Sequence, residues 1–91
     1  MHVIFSEITE LSAAIKAVEQ NGYALRYVKD QSEAVCLKAV EQNGYALQFV
    51  KDQSEAVCIK AVEQNGYALR YVKDFDLFVK IATQLNITWS R

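Results

Sequence analysis

Residues 17–38 read AVEQNGYALRYVKDQSEAVCLK, residues 39–60 read AVEQNGYALQFVKDQSEAVCIK, and residues 61–74, AVEQNGYALRYVKD, repeat residues 17–30 without a change. The two full copies differ only at Arg26/Gln48, Tyr27/Phe49 and Leu37/Ile59, so the chain is built on a period of 22 residues. A fixed period of this size marks a repeat architecture. Each unit is then one small supersecondary element, and neighbouring units share a core. A degenerate half-unit at residues 9–16 precedes the copies, and a divergent segment at residues 75–86 follows them.

The middle of the chain shows what one unit is. From Glu33 to Asn43, the polar residues Lys38, Glu41 and Gln42 fall at i, i+3 and i+4, while Val35, Cys36, Ala39 and Val40 fill the other side. That is a helical period with one wet stripe. Ser32 is a suitable N-cap with Glu33 in the first turn, although Asp30 and Glu33 also fit a capping box. Gly44 is expected at the C′ position in the left-handed conformation, where a glycine meets no steric penalty. Tyr45 to Asp52 then reads as a second, shorter helix of about two turns, with Gln48, Lys51 and Asp52 as its polar side.

Two other readings of the unit fail. Asn-Gly is a strong hairpin signal, but its flanks here do not alternate with period two. A leucine-rich repeat has a similar period, but it needs an apolar residue where Lys38 stands. A helix–turn–helix this small cannot bury its own apolar faces, so the expectation is an all-α solenoid of about seven stacked helices forming one domain over residues 1–91. Its first helix is expected from about Ser6 or Thr9 to Asn21, and its last from near Asp74 or Asp76 towards Asn86. Phe75, Phe78, Ile81 and Leu85 are the apolar positions of that last helix, and Phe75, Phe78 and Trp89 are expected to cap the open end.

Composition limits the function. The 91 residues include 10 basic and 11 acidic side chains, with a net charge of -1, and 52% are hydrophobic. This is too apolar for a disordered chain. It lacks the basic excess of a dedicated nucleic-acid domain. No apolar run reaches the roughly 18 residues of a membrane span. Met1 to Glu7 has no basic segment ahead of its short apolar run, so no secretory signal is read and a cytoplasmic location is expected. On that reading the glycosylation tripeptide Asn86-Ile87-Thr88 is incidental.

The unit AVEQNGYAL…VKDQSEAVCLKAV resembles the tandem repeats of a bacterial family, domain of unknown function 4116, whose units follow T-P-E-x-C-L-x-A-V-x-Q-N-G-x-A-L-x-Y-V. The likeness covers residues 10–74. This chain has Ser32-Glu33-Ala34 where the family often has Thr-Pro-Glu, which removes a preorganised first-turn proline and keeps the cap. The resemblance implies an α-helical repeat with no assigned reaction and no catalytic residues to carry over.

Most chemically capable residues have a plain structural reading. Cys36 and Cys58 hold the same place in adjacent units. Equivalent stacked helices lie about 8–10 Å apart, whereas a disulfide needs Cα atoms within about 7 Å. Two thiols without a third ligand make no zinc site, so both are read as free, buried, small hydrophobes. His2 is the single histidine and supports no catalytic pair. Glu19, Glu41 and Glu63, and Asp30, Asp52 and Asp74, form columns with nearby lysines and read as solvated charge ladders. Gly22, Gly44 and Gly66 occur once per unit as turn residues, which is no phosphate loop. No catalytic, cofactor or metal site is expected.

One column is a candidate interaction face. Tyr23, Tyr45 and Tyr67 align; so do Tyr27, Phe49 and Tyr71; Arg26, Gln48 and Arg70 stand beside them. One ring plus one Arg or Gln per unit suits the stacking of successive nucleotides. The simpler reading is that the rings fill the seam between long and short helices, with hydroxyls at the surface. The expected function is a non-enzymatic module binding another protein through a regular face. Single-stranded nucleic acid, against which the charge balance argues, and self-association through the repeat ends are the alternatives.

Overall fold

The structure is a computed structural model and describes residues 11–88. Its elements, in order, are α1 (Leu11–Gln20), η1 (Gly22–Tyr27), α2 (Glu33–Gln42), η2 (Gly44–Phe49), α3 (Glu55–Gln64), η3 (Gly66–Tyr71) and α4 (Phe75–Gln84), where η denotes a 3-10 helix. The protein is thus an all-α repeat: each unit is an α-helix followed by a short 3-10 helix, and successive units stack. No strand occurs among the described residues. The expected helix start at Ser6 or Thr9 and the capping role of Trp89 lie outside the described residues.

Local chemistry sets the boundaries. The Ser32 hydroxyl accepts from the Val35 amide at 3.3 Å, and Ser54 accepts from Val57 at 3.2 Å, with Glu33 and Glu55 favourably placed in the first turns. At the other end, Asn43 is a joint between two helices. Its backbone N–H donates to Ala39 O at 2.9 Å, closing α2, while its side-chain Oδ1 accepts from the Tyr45 amide at 3.0 Å, opening η2. Asn21 and Asn65 make the same side-chain cap at 3.0 Å.

The glycine after each joint does not do what was expected of it. No glycine has a positive φ among the described residues, and the joint bends through the extended Asn43 (φ -155) instead of a left-handed Gly44. Gly44 is required for a different reason. A Cβ there would lie 2.6 Å from Ala61 O and 2.9 Å from Gln64 Oε1 of the next unit, and a Cβ on Gly22 would lie 2.6 Å from Ala39 O. The absent side chain lets neighbouring units approach, a second use of glycine's small size.

The core is one continuous row. Val18, Leu25, Val35, Val40, Leu47, Val50, Val57 and Val72 are almost completely buried, each from the same few positions of its unit. Each such side chain contributes about 1.5–3 kcal/mol on burial. The unit boundaries are also hydrogen-bonded, by glutamine. Gln31 Nε2 donates to Leu25 O at 3.3 Å in its own unit and to Phe49 O at 2.9 Å in the next, while its Oε1 accepts from the Lys51 amide at 2.9 Å. Gln53 repeats the pattern with Leu47 O, Tyr71 O and the Lys73 amide at 3.3, 2.8 and 3.0 Å. From the opposite side, Gln42 Oε1 accepts from the Gly22 amide and Gln64 Oε1 from the Gly44 amide, both at 2.6 Å.

The last helix departs from the stack. Residues 75–84 keep the helix pattern of residues 55–64, with Lys80 for Lys60 and Gln84 for Gln64, but the Gln-Ser step that precedes α2 and α3 is missing. Asp74 caps α4 directly, accepting from the amides of Asp76 and Leu77 at 2.9 and 3.2 Å. Phe78, Ile81 and Ala82 are its buried side, and Phe75 stacks on Phe78 at 6.0 Å while remaining 51% exposed. α4 lacks that bridging glutamine and is displaced. Lys60 pairs with Glu41 of the helix before it at 4.0 Å, whereas Lys80 meets Glu55, at the start of α3, at 3.1 Å.

Candidate interaction face

The residues singled out by the repeat lie on the 3-10 helices, and the structure joins their columns diagonally. The first tyrosine of one unit makes an edge-to-face pair with the second ring of the next: Tyr23 with Phe49 at 5.7 Å and Tyr45 with Tyr71 at 6.0 Å. These edge-to-face pairs sit in the favourable range and add about 0.5–1.5 kcal/mol beyond burial. The Arg26 guanidinium lies 5.3 Å from the Tyr27 ring centre and 5.6 Å from that of Phe49, bridging a unit boundary through its charge. In the second unit Gln48 replaces the arginine, and its amide turns back to Tyr45 O at 3.1 Å. Arg70 is exposed.

Packing and display are divided among these rings. Phe49 and Tyr71 are half-buried against the core, as seam residues should be. Tyr23, Tyr27 and Tyr67 are 38%, 54% and 72% exposed. η1, η2 and η3 carry no acidic residue in their first turns, so the rings stand beside Arg26, Gln48 and Arg70.

The two cysteines are buried and free. Burial pushes each thiol up to about 11, with Glu33 and then Asp52 adding to the effect at Cys36 and Glu55 at Cys58. Neither is a thiolate at neutral pH, and neither is an activated nucleophile. Cys36 lines a cavity of about 150 Å³ at the α2–α3 boundary with Gln31, Glu33, Asp52, Ser54 and Val57. The Ser54 hydroxyl donates to Glu33 Oε2 there at 3.3 Å. Among the described residues no group of three or more His, Cys, Asp or Glu is placed to hold a metal ion.

Sequence reasoning passed over the four bridging glutamines. Gln42 was placed on the wet stripe, and it is indeed exposed, yet its carboxamide closes the boundary behind it. Gln53 stands in the linker ahead of α3, and its amide spans two units. The available signal was the recurrence of a long amide side chain where no local cap requires one.

Among the described residues no helix is long and apolar enough to cross a membrane. No curated protein and no solved structure matches the chain. The family model of a domain of unknown function (DUF4116) matches twice, over residues 14–55 and 33–77, each match spanning close to two repeat periods; the chain belongs to this tandem-repeat family.

Proposed function

We propose that the protein is a non-enzymatic interaction module that presents the face of its 3-10 helices to another protein. The observation that carries this reading is the run of exposed Tyr23, Tyr27 and Tyr67 beside Arg26 and Arg70 on rigid, mutually bonded units. Tyrosine and arginine are the residue types most enriched at binding hot spots, because they offer large contact area with a polar handle. Rigid presentation lowers the entropy lost on binding. The chemistry is periodic instead of convergent, which suits a long shallow contact and not a reaction centre.

Nucleic-acid stacking is the weaker reading. Tyr23 and Tyr45 already pair with a ring of the next unit, and Arg26 is held over two rings. The test is capture of partners by the intact protein and by a Tyr23→Ala, Arg26→Ala, Tyr67→Ala, Arg70→Ala variant. A protein retained by the first and lost by the second supports the proposal. Equal capture by both removes this face from the function, and a shift of single-stranded RNA at low salt abolished in the variant replaces the proposal with the nucleic-acid reading.

A further inference from the structure

We propose that the exposed rim of the third unit, at the carboxyl-terminal end of α3, and the back of the first unit are two halves of one interface, and that a second copy of this chain docks there head to tail. Two relationships that recur inside the chain, and two that it makes once, are half-made at its ends. The Gly22 and Gly44 amides each donate to a glutamine of the next unit at 2.6 Å, whereas a Cβ on Gly66 would meet nothing within 4 Å. The matching glutamine, Gln20 at the end of α1, is exposed. Tyr23 and Tyr45 each pack on the second ring of the following unit, while Tyr67 is 72% exposed and the matching ring, Tyr27, is 54% exposed.

The charges follow the same rule. Arg26 lies 5.6 Å from the Phe49 ring centre across a boundary, and Arg70 stands in the same place beside the third unit's exposed rim. Lys60 pairs with Glu41 of the preceding helix at 4.0 Å, so Lys16 of a second copy would pair with Glu63. α4 covers the apolar part of the third unit's end, where Val62 and Leu69 are 3% and 5% exposed, and leaves the carboxyl-terminal rim of α3 bare. Its Lys80 is anchored at Glu55, at the amino-terminal end of α3, and Glu63, Gly66 and Tyr67 at the other end stay exposed.

The occupant is therefore fixed by the chain's own interior: the partner face must carry an AVEQNGYAL helix-and-joint, and the exposed one on this protein belongs to unit one. Joining unlike faces is a heterologous contact, which propagates as a rod unless it closes into a ring. Tyr23 keeps 38% of its surface while docked on its neighbour, so Tyr67 would stay partly displayed in an assembly while Tyr27 would become half-buried like Phe49 and Tyr71.

Sedimentation of the full chain from micromolar to millimolar concentration tests the proposal. The mass is expected to climb above 10.3 kDa with concentration. Gly66→Ala, which places a methyl in the closed interface, should lower the association constant about tenfold or more and leave the melting temperature unchanged. A Gln20→Ala, Tyr27→Ala variant should also fail to grow alone. Mixing these two variants should give a one-to-one dimer, because each retains the face the other has lost. A monomer at all concentrations, a Gly66→Ala chain that assembles normally, or variants that do not complement would overturn the proposal.

Discussion

The amide of Gly44 donates to the carboxamide of Gln64 at 2.6 Å, a bond that crosses twenty residues of chain and one unit boundary. It explains the glycine and the glutamine together: only a residue without a side chain lets the helix end come close enough for that carboxamide to reach. Gly44→Ala should therefore cost about 1–3 kcal/mol, since its methyl would press on Ala61 O at 2.6 Å and the backbone there cannot give without moving α3. Gly66→Ala should fall within about 0.5 kcal/mol of the parent chain, because its methyl meets nothing within 4 Å. Urea unfolding of both variants at a concentration where the chain is monomeric makes the comparison. Equal losses would mean that the turn itself, and not the neighbouring unit, requires glycine.

Gln53 joins two units through one amide group, donating to Leu47 O and Tyr71 O and accepting from the Lys73 amide. Gln53→Ala leaves those partly buried groups to find other partners and should cost about 1–3 kcal/mol. Gln48→Ala is the control: its amide makes a local, exposed bond to Tyr45 O, and its loss should cost less than about 0.5 kcal/mol. Hydrogen exchange should also show the Lys73 amide losing protection in the first variant and not in the second.

The sequence was most informative where one unit speaks for itself. The helical stripe, the Ser32 cap and the shorter second helix follow from local spacing, and the period of 22 residues forces the stack. What lay beyond it depends on how units meet. The close approach at Gly44 comes from the neighbour, whereas Asn65 is as extended as Asn43 with nothing near Gly66, so the rule for left-handed helix ends chose the wrong backbone for the right residue. The rings were legible as two columns, but their diagonal pairing, Tyr23 with Phe49 and Tyr45 with Tyr71, is set by the stagger between units. No single-unit pattern contains that stagger.

The buried thiols give a pH signature. Cys36 and Cys58 hold their protons up to about 11 in the folded chain, against an ordinary value of 9.0. Between those values the unfolded chain has released protons that the folded chain still holds, so stability falls as pH rises through this window and is unaffected by these groups below it. A Cys36→Ala, Cys58→Ala variant should start less stable at pH 7 because of the small cavities, yet lose less on going from pH 8.5 to pH 10.5. Denaturation midpoints at the two pH values read this directly, and identical alkaline losses in both chains would show that the thiols are hydrated. In the parent chain at pH 8, thiol reagents should react at the rate of local opening instead of the rate of a free cysteine.

The missing Gln-Ser step before α4 yields the most direct test of the bridging glutamine. Inserting Gln-Ser between Asp74 and Phe75 restores the linker that precedes α2 and α3, and supplies an amide at the position of Gln31 and Gln53. The new carboxamide should bond Leu69 O as Gln53 bonds Leu47 O, and α4 should move from the start of α3 into line with it. Lys80 would then leave Glu55 for Glu63, continuing the ladder that Lys60 makes with Glu41. Exposed ion pairs of this kind are worth at most about 1 kcal/mol, so the pair serves as a reporter and not as the driving force. In the inserted chain, nuclear Overhauser contacts from Lys80 to Glu63 should replace those to Glu55, and Tyr67 should lose accessibility to surface-labelling reagents. Contacts that stay with Glu55 would show that the divergent side chains of α4, Phe78 and Ile81 among them, displace the helix whatever linker precedes it.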